Sequence, residues 1–206
     1  MLHNDLAYYI QTATEEYNQI TAQRKADLQE VSSYVSQKLS AKKTTNLVVI
    51  CTHNSRRSHF GQFWLQAATY YYHLPNIRTF SGGTEATAFH PNAVAALERA
   101  GVNFSQTDKS SSNPQYLASW DNDHPAIPMF SKKYDHSENP RSLFAAIMVC
   151  SDADEACPFI PGADARFSLP YQDPKQYDNT PQEREQYDER CRQIAREMLY
   201  AMSSVQ

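Results

Sequence analysis

No two cysteines in this chain have C-x-x-C spacing, and His53, His59, His73 and His90 do not stand at zinc-ligand spacings from a cysteine pair. A structural zinc site is therefore not expected. Cysteine is scarce too. Cys51, Cys150, Cys157 and Cys191 are four in 206 residues, which excludes the disulfide scaffold of a small secreted domain. In a reducing compartment they read as structural thiols, metal ligands or catalysts. Positive charge is not in excess: 19 Lys and Arg face 23 Asp and Glu, for a net charge of −4. No basic field exists to draw nucleic acid or an acidic membrane. The longest strongly apolar run, Leu143–Cys150, is far too short to cross a bilayer. The opening Met-Leu-His-Asn-Asp lacks the basic and apolar regions of a signal peptide, so a cytoplasmic protein is expected. There is no internal repeat and no low-complexity tract.

What is present fits one soluble domain with a sizeable core, or one domain plus an appendage. Residues 1–44 read as a helical appendage. Leu6, Tyr9, Ile10, Ala13, Tyr17 and Ile20 recur at helical spacing, as do Leu28, Val31, Val35 and Leu39. These two helices pack on the body, on a partner, or on another copy of the chain. Residues 45–206 alternate strand and helix signals. Leu47–Ile50 reads as a strand, and a helix follows over Ser58–His73. Ile77–Ser81 is a second strand, ended by Gly82-Gly83. Pro91 opens the next helix and Gly101 closes it. Phe144–Cys150 and Arg166–Leu169 are further strands. The last helix begins at an apparent capping box, Thr180-Pro181-Gln182-Glu183. Such alternation implies parallel βαβ units. An insertion of about 105–141 breaks the rhythm; there Tyr116–Trp120 and Ala126–Tyr134 flank Asp-Asn-Asp-His and read as a hairpin or long excursion.

The segment that carries chemistry is Cys51-Thr52-His53-Asn54-Ser55-Arg56-Arg57-Ser58. A cysteine follows a buried strand, and a helix begins after the arginine and serine. A loop in that position aims backbone N–H groups at one spot, and the helix N-terminus adds positive potential. The arrangement binds a tetrahedral oxyanion, with Thr52, His53, Asn54, Ser55, Arg56 and Ser58 as its surround. The same field favours thiolate over thiol. Arg57 can grip two oxygens with its planar fork, Ser58 can donate to the thiolate, and Cys51 becomes a nucleophile aimed at the bound phosphorus or arsenic.

Cys-x5-Arg-Ser after a strand resembles the low-molecular-weight protein tyrosine phosphatases and the thioredoxin-coupled arsenate reductases that share their fold. Ser81-Gly82-Gly83, Pro91-Asn92-Ala93-Val94 with Gly101-Val102, and Asp173-Pro174 extend the resemblance over roughly 45–104 and 142–203. It implies a four-stranded parallel sheet flanked by helices, with Asp173 as general acid. Cys150-Ser151-Asp152-Ala153-Asp154-Glu155-Ala156-Cys157-Pro158 resembles the reductases in particular. That resemblance implies that Cys51 attacks arsenate, Cys150 attacks Cys51 and frees arsenite, and Cys157 attacks Cys150, leaving a disulfide for thioredoxin. No bound cofactor is implied. Lys175 and Gln176 stand where the phosphatases commonly carry aromatic residues, although Tyr177 follows. Departures are His53 where a glycine is usual, Arg56 where a cysteine is common, and Gln62 where some reductases have a glutamate associated with potassium, so that ion is not carried over.

Plainer readings stand beside these. Cys51 and Cys150 each end an apolar strand and would suit a core, and Cys191 lies on an apolar helical stripe and reads as core. Arg56 reads by default as a solvated loop charge. Asp173 before proline suits a turn, and Asp121, Asp123 and His124 suit a polar turn better than a metal. The expectation is an arsenate reductase working by a thiol/disulfide cascade. The alternatives are a tyrosine phosphatase acting through a cysteinyl-phosphate, and a non-catalytic redox switch or adaptor.

Overall fold

The computed structural model describes residues 2–108, 110–156 and 159–205. At its centre is a parallel sheet of four strands, β1 (Thr45–Cys51), β2 (Ile77–Gly83), β6 (Phe144–Met148) and β7 (Ala163–Ser168), in the order β2-β1-β6-β7. The two inner strands explain the sequence pattern. Val48, Val49, Ile50 and all five residues of β6 are buried, as expected of strands covered on both faces. Of the outer strands, β2 mixes buried and exposed positions, and β7 has only half-buried and exposed ones.

Helix α3 (Arg57–Tyr71) follows β1 and packs on β1 and β2. Gly61 makes this contact possible, since a Cβ there would lie 2.7 Å from Val49 Cγ1. Helix α4 (Pro91–Arg99) has Pro91 at its first turn and ends before Gly101, whose φ of 97° suits a residue without Cβ. Helix α5 (Ser151–Ala156) leaves β6, and α6 (Glu183–Ser203) packs on α3 and α4.

The N-terminal segment forms α1 (Asn4–Thr14) and α2 (Ala22–Ser40). The first helix stops at Thr14, short of the Ile20 its spacing promised, and a 3-10 turn at Tyr17–Gln19 bends the chain. Both helices lie against α6, and α2 also meets β1 and β7. Leu6, Ile10, Ala13, Leu28, Val31 and Val35 are buried in the same core as the sheet. Their apolar stripe is therefore covered by the body of this chain.

The inserted region is a small antiparallel sheet, with β3 (Asn103–Gln106), β4 (Tyr116–Ser119) and β5 (Ile127–Met129) in that order. The expected hairpin is β4–β5; β3 has no clear sequence signal because Phe104 is the one apolar residue among its four. Its turn is polar, as expected: the N–H groups of Asp123 and His124 donate to Asp121 Oδ1, and His124 Nδ1 sits 2.6 Å from Asp121 Oδ2. Among the described residues no cluster could hold a metal ion, and no helix is long and apolar enough to cross a membrane. The capping box did not form. Thr180 Oγ1 donates to Tyr177 O, while Glu183 reaches back to accept from Asn179 N at 2.7 Å.

Candidate active site

Strand β1 delivers Cys51 to the C-terminal edge of the sheet, and α3 begins six residues later. Between them the chain turns tightly, with Asn54 at a left-handed φ of 44°, a conformation asparagine tolerates better than most residues. The loop is defined by where its carbonyls point. Cys51 O accepts from Thr84 N, Thr52 O from Glu85 N, and Ser55 O from His90 N. His53 O accepts from Ser131 Oγ at 2.9 Å and from Thr87 Oγ1 at 3.2 Å. Asn54 O lies 2.9 Å from His59 Nε2, which must carry the proton because a carbonyl only accepts. All five carbonyls are turned outward to donors. Among the described residues, no protein acceptor takes the N–H groups of Thr52 through Arg57. Those amides are left free on the stretch between Cys51 and the N-terminus of a fifteen-residue helix. That is a site for an anion.

Gly83 forms the wall behind the loop. A Cβ there would stand 2.2 Å from Glu85 O, 2.6 Å from Thr52 O and 2.7 Å from Asn54 N, so only glycine lets the loop approach β2 this closely.

Each side chain of the loop has a distinct place. Cys51 is 3% exposed, and its Sγ lies 3.1 Å from Ser58 Oγ. Asn54 Nδ2 donates to Ser58 Oγ at 2.8 Å, which frees the hydroxyl proton to point at the sulfur. Asn54 Oδ1 accepts from Lys132 N, so this side chain braces the loop from within. Arg57 is buried. Its Nη1 donates to Tyr171 O at 2.9 Å and its Nη2 to Asp173 Oδ2 at 2.5 Å. Its Nε is buried with no partner among the described residues, a donor left over for an anion. Asp173 is steered by Lys175 N, which donates to its second oxygen.

Cys150 lies two residues past the end of the neighbouring strand β6, beside the start of the loop, because Ile50 pairs with Met148 and Val149 N donates to Ile50 O. Its Sγ is 3.3 Å from Thr52 Oγ1. Burial works against the Cys150 thiolate. The Thr52 hydroxyl, the N–H groups of Ala153 and Asp152 in the first turn of α5, and the Arg57 charge outweigh it, and the thiol is held below its ordinary value. Cys157 lies outside the described residues. Cys191 is a core thiol: Trp64 Nε1 donates to it at 3.3 Å, and burial pushes it up to about 12.

Arg56 is neither a solvated charge nor a side chain free to hold an anion. Its Nε donates to Tyr187 Oη at 2.6 Å and its Nη2 to Asp178 Oδ2 at 2.8 Å, so it contributes only its main chain to the cradle. Tyr187 also donates to Asp178 Oδ1, and its ring stacks on His90. No local pattern signals this Arg56–Asp178–Tyr187 knot, since Arg56 stands over 120 residues from both of its partners. His53 is half-exposed, 3.7 Å from Glu85. With Ser55, Arg56, Thr87, His90 and Lys175 it lines a cleft of about 350 Å³ beside the loop, which contains no Phe, Tyr or Trp. Beneath the loop, His59 is fully buried. Burial and the nearby Lys132 charge hold it well below its usual value, so it is neutral.

No family profile matches the chain. It is 27% identical over 153 residues to an arsenate reductase of Bacillus licheniformis, covering 74% of this chain and 88% of that protein. Among solved structures it resembles a low molecular weight protein tyrosine phosphatase from T. tengcongensis, with a TM-score of 0.54, 15% identity, and coverage of 78% and 99%. It also resembles an arsenate reductase in the phosphate binding state, with a TM-score of 0.51, 15% identity, and coverage of 79% and 99%.

Proposed function

From a chain with the fold of the low-molecular-weight protein tyrosine phosphatase superfamily, we propose an arsenate reductase that works by a thiol/disulfide cascade. The observation that carries the reading is the Cys150 thiol. It stands beside the anion loop, hydrogen-bonded to Thr52 and held below its ordinary value by that hydroxyl, the first amides of α5 and the Arg57 charge. A phosphatase has no use for a second activated thiol there. The cleft beside the loop adds support, because no Phe, Tyr or Trp lines it to hold a phosphotyrosine ring.

The steps balance as follows. Arsenate sits among the loop amides and Arg57. The Cys51 thiolate attacks arsenic, an As–O bond breaks, and Asp173 protonates the departing oxygen so that water leaves. The Cys150 thiolate then attacks Cys51 Sγ. The electron pair of the S–As bond stays on arsenic, which falls from As(V) to As(III) and leaves as arsenite. Cys157 attacks Cys150, releasing the Cys51 thiolate, and an external dithiol such as thioredoxin reduces the resulting disulfide. Helix α5 spans most of the stretch between these last two cysteines. Seven residues of helical rise separate two Cα atoms by about 10 Å, and a disulfide needs about 7 Å or less. Were the helix to run on through position 157, it would have to open for the bond to close, and a helix of six residues is marginal alone.

The phosphatase reading is favoured by Arg57 and Asp173, which together with Cys51 suffice for a cysteinyl-phosphate. Variants separate the two. Cys51→Ser abolishes both aryl phosphate hydrolysis and arsenate reduction. Cys150→Ser and Cys157→Ser abolish only multiple-turnover reduction, followed as arsenate-dependent NADPH consumption with thioredoxin and its reductase. Full arsenate turnover in Cys150→Ser would remove the cascade, and aryl phosphate hydrolysis with no arsenate-dependent NADPH consumption in the unmutated chain would leave the phosphatase.

A further inference from the structure

Behind the anion loop, on the far side of the 131–134 segment, is a second cleft of about 470 Å³. It lies between the open edge of β2, the face of α3 and the inserted sheet. Thr79 and Phe80 of β2, Gln66 of α3, and Trp120 and Ile127 of the insertion line it. At its base is Lys132, which is 5% exposed. The main chain of Lys132 is fully used: its N–H donates to Asn54 Oδ1 and its carbonyl accepts from Gly83 N. Its ammonium is not. Among the described residues it makes no hydrogen bond and no ion pair; it only faces the Phe130 ring, 4.6 Å from the ring centroid.

We propose that this cleft is a binding site for a small aromatic carboxylate, whose carboxyl group pairs with the Lys132 ammonium and whose ring lies against Trp120 and Ile127.

The Lys132 side chain is buried along its length while its nitrogen still reaches the cleft, and a poorly hydrated ammonium is a place where an anion gains by pairing. Burial pulls Lys132 down to about 8, opposed only in part by the carboxylate of Glu138. The charges around the cleft fit an anion. Glu138 and Arg78, one of each sign, are both exposed at its rim. His124 is paired with Asp121. One positive charge, that of Lys132, remains at the base. A second donor is close: Gln66 Oε1 is taken by the Thr79 hydroxyl, while its amide NH₂ has no partner among the described residues. The walls are apolar and partly aromatic, and the volume matches that of small-molecule sites, roughly 300–1,000 Å³. An aliphatic or aromatic ligand without the carboxylate would leave the ammonium as it is. A free inorganic anion would leave the walls empty.

The test is calorimetric titration of the whole chain with 1-naphthoate, in phosphate sufficient to saturate the Cys51 loop. Binding with a dissociation constant below about 1 mM is expected. Lys132→Met should weaken it by about tenfold or more, and naphthalene-1-methanol, which has the ring without the charge, should bind as weakly to the wild type. Ile127→Trp keeps Lys132 and fills the cleft, so it should also abolish binding; this variant stands in if Lys132→Met does not fold. No binding in saturating phosphate would place any naphthoate affinity in the catalytic loop and overturn the proposal. Equal affinity in Lys132→Met or in Ile127→Trp would overturn it as well.

Discussion

Asp173 Oδ2 rests 2.5 Å from Arg57 Nη2, while its other oxygen accepts the N–H of Lys175. The residue read as general acid is thus held by the arginine read as anion ligand, on a short 3-10 turn that begins at Pro174. An incoming anion competes for the same guanidinium and meets the carboxyl group at once.

Replacing Asp173 by Asn keeps a hydrogen-bonding side chain of the same size and removes the transferable proton. Turnover of an aryl phosphate should fall by about 10²–10⁴-fold. The inhibition constant of inorganic phosphate should change little, because the amides and Arg57 remain. Unchanged turnover would take Asp173 out of the chemistry.

Thr52→Val keeps the shape of the side chain and removes the hydroxyl that supports the Cys150 thiolate. Burial still disfavours that thiolate, so the thiol must move up once a supporting hydrogen bond is gone. Alkylation of Cys150, followed by peptide mass spectrometry across a pH series in a Cys51→Ser background, should show its midpoint at higher pH in the Thr52→Val chain. Coincident midpoints would show that Thr52 does not govern Cys150.

His59 is neutral in the folded chain because burial and Lys132 hold it well below its unfolded value. The unfolded state therefore binds the extra proton first. Stability from this group is present above about pH 6.5 and is lost as the pH falls below it, at about 1.4 kcal/mol per unit. Urea titrations of wild type and His59→Gln should diverge in slope against pH between about 6.5 and 5, with the variant flatter. Parallel slopes would mean that His59 titrates alike in both states.

Gly83→Ala places a methyl group where Thr52 O and Glu85 O already stand. Both are backbone atoms, so the loop must move. We expect a loss of about 1–3 kcal/mol in stability, and a larger proportional loss in phosphate affinity, read by calorimetry. Retained affinity at wild-type strength would show the loop to be more pliant than its packing implies.

The parts of the fold legible in the sequence were those set by local pattern. The buried runs at β1 and β6, the helix opened by Pro91, and the Cys51–Ser58 loop between strand and helix all announce themselves within ten residues. The hairpin around Asp121 did so through its turn. What was hidden depends on contacts between distant segments. Arg56 looks like a loop charge until Asp178 and Tyr187 arrive from the C-terminal part of the chain. Lys132 is one lysine in a polar stretch, and only the fold shows that it lies buried behind the anion loop. The Thr180–Glu183 pattern matched a capping box, yet the turn at Pro174–Tyr177 took the Thr180 hydroxyl first.

Helix α6 touches α1, α2, α3 and α4, and it is synthesised after all of them. Tyr187, Ile194, Met198, Leu199 and Met202 fill the space those helices share. Until they emerge from the ribosome, the faces that these four helices turn towards α6 stay uncovered, and Arg56 lacks Tyr187. The core of this chain cannot be completed piecemeal from its N-terminal end. The nascent protein carries an uncovered surface through most of its synthesis, the condition in which chaperones engage a chain, and the anion loop gains its final braces only when the last helix docks.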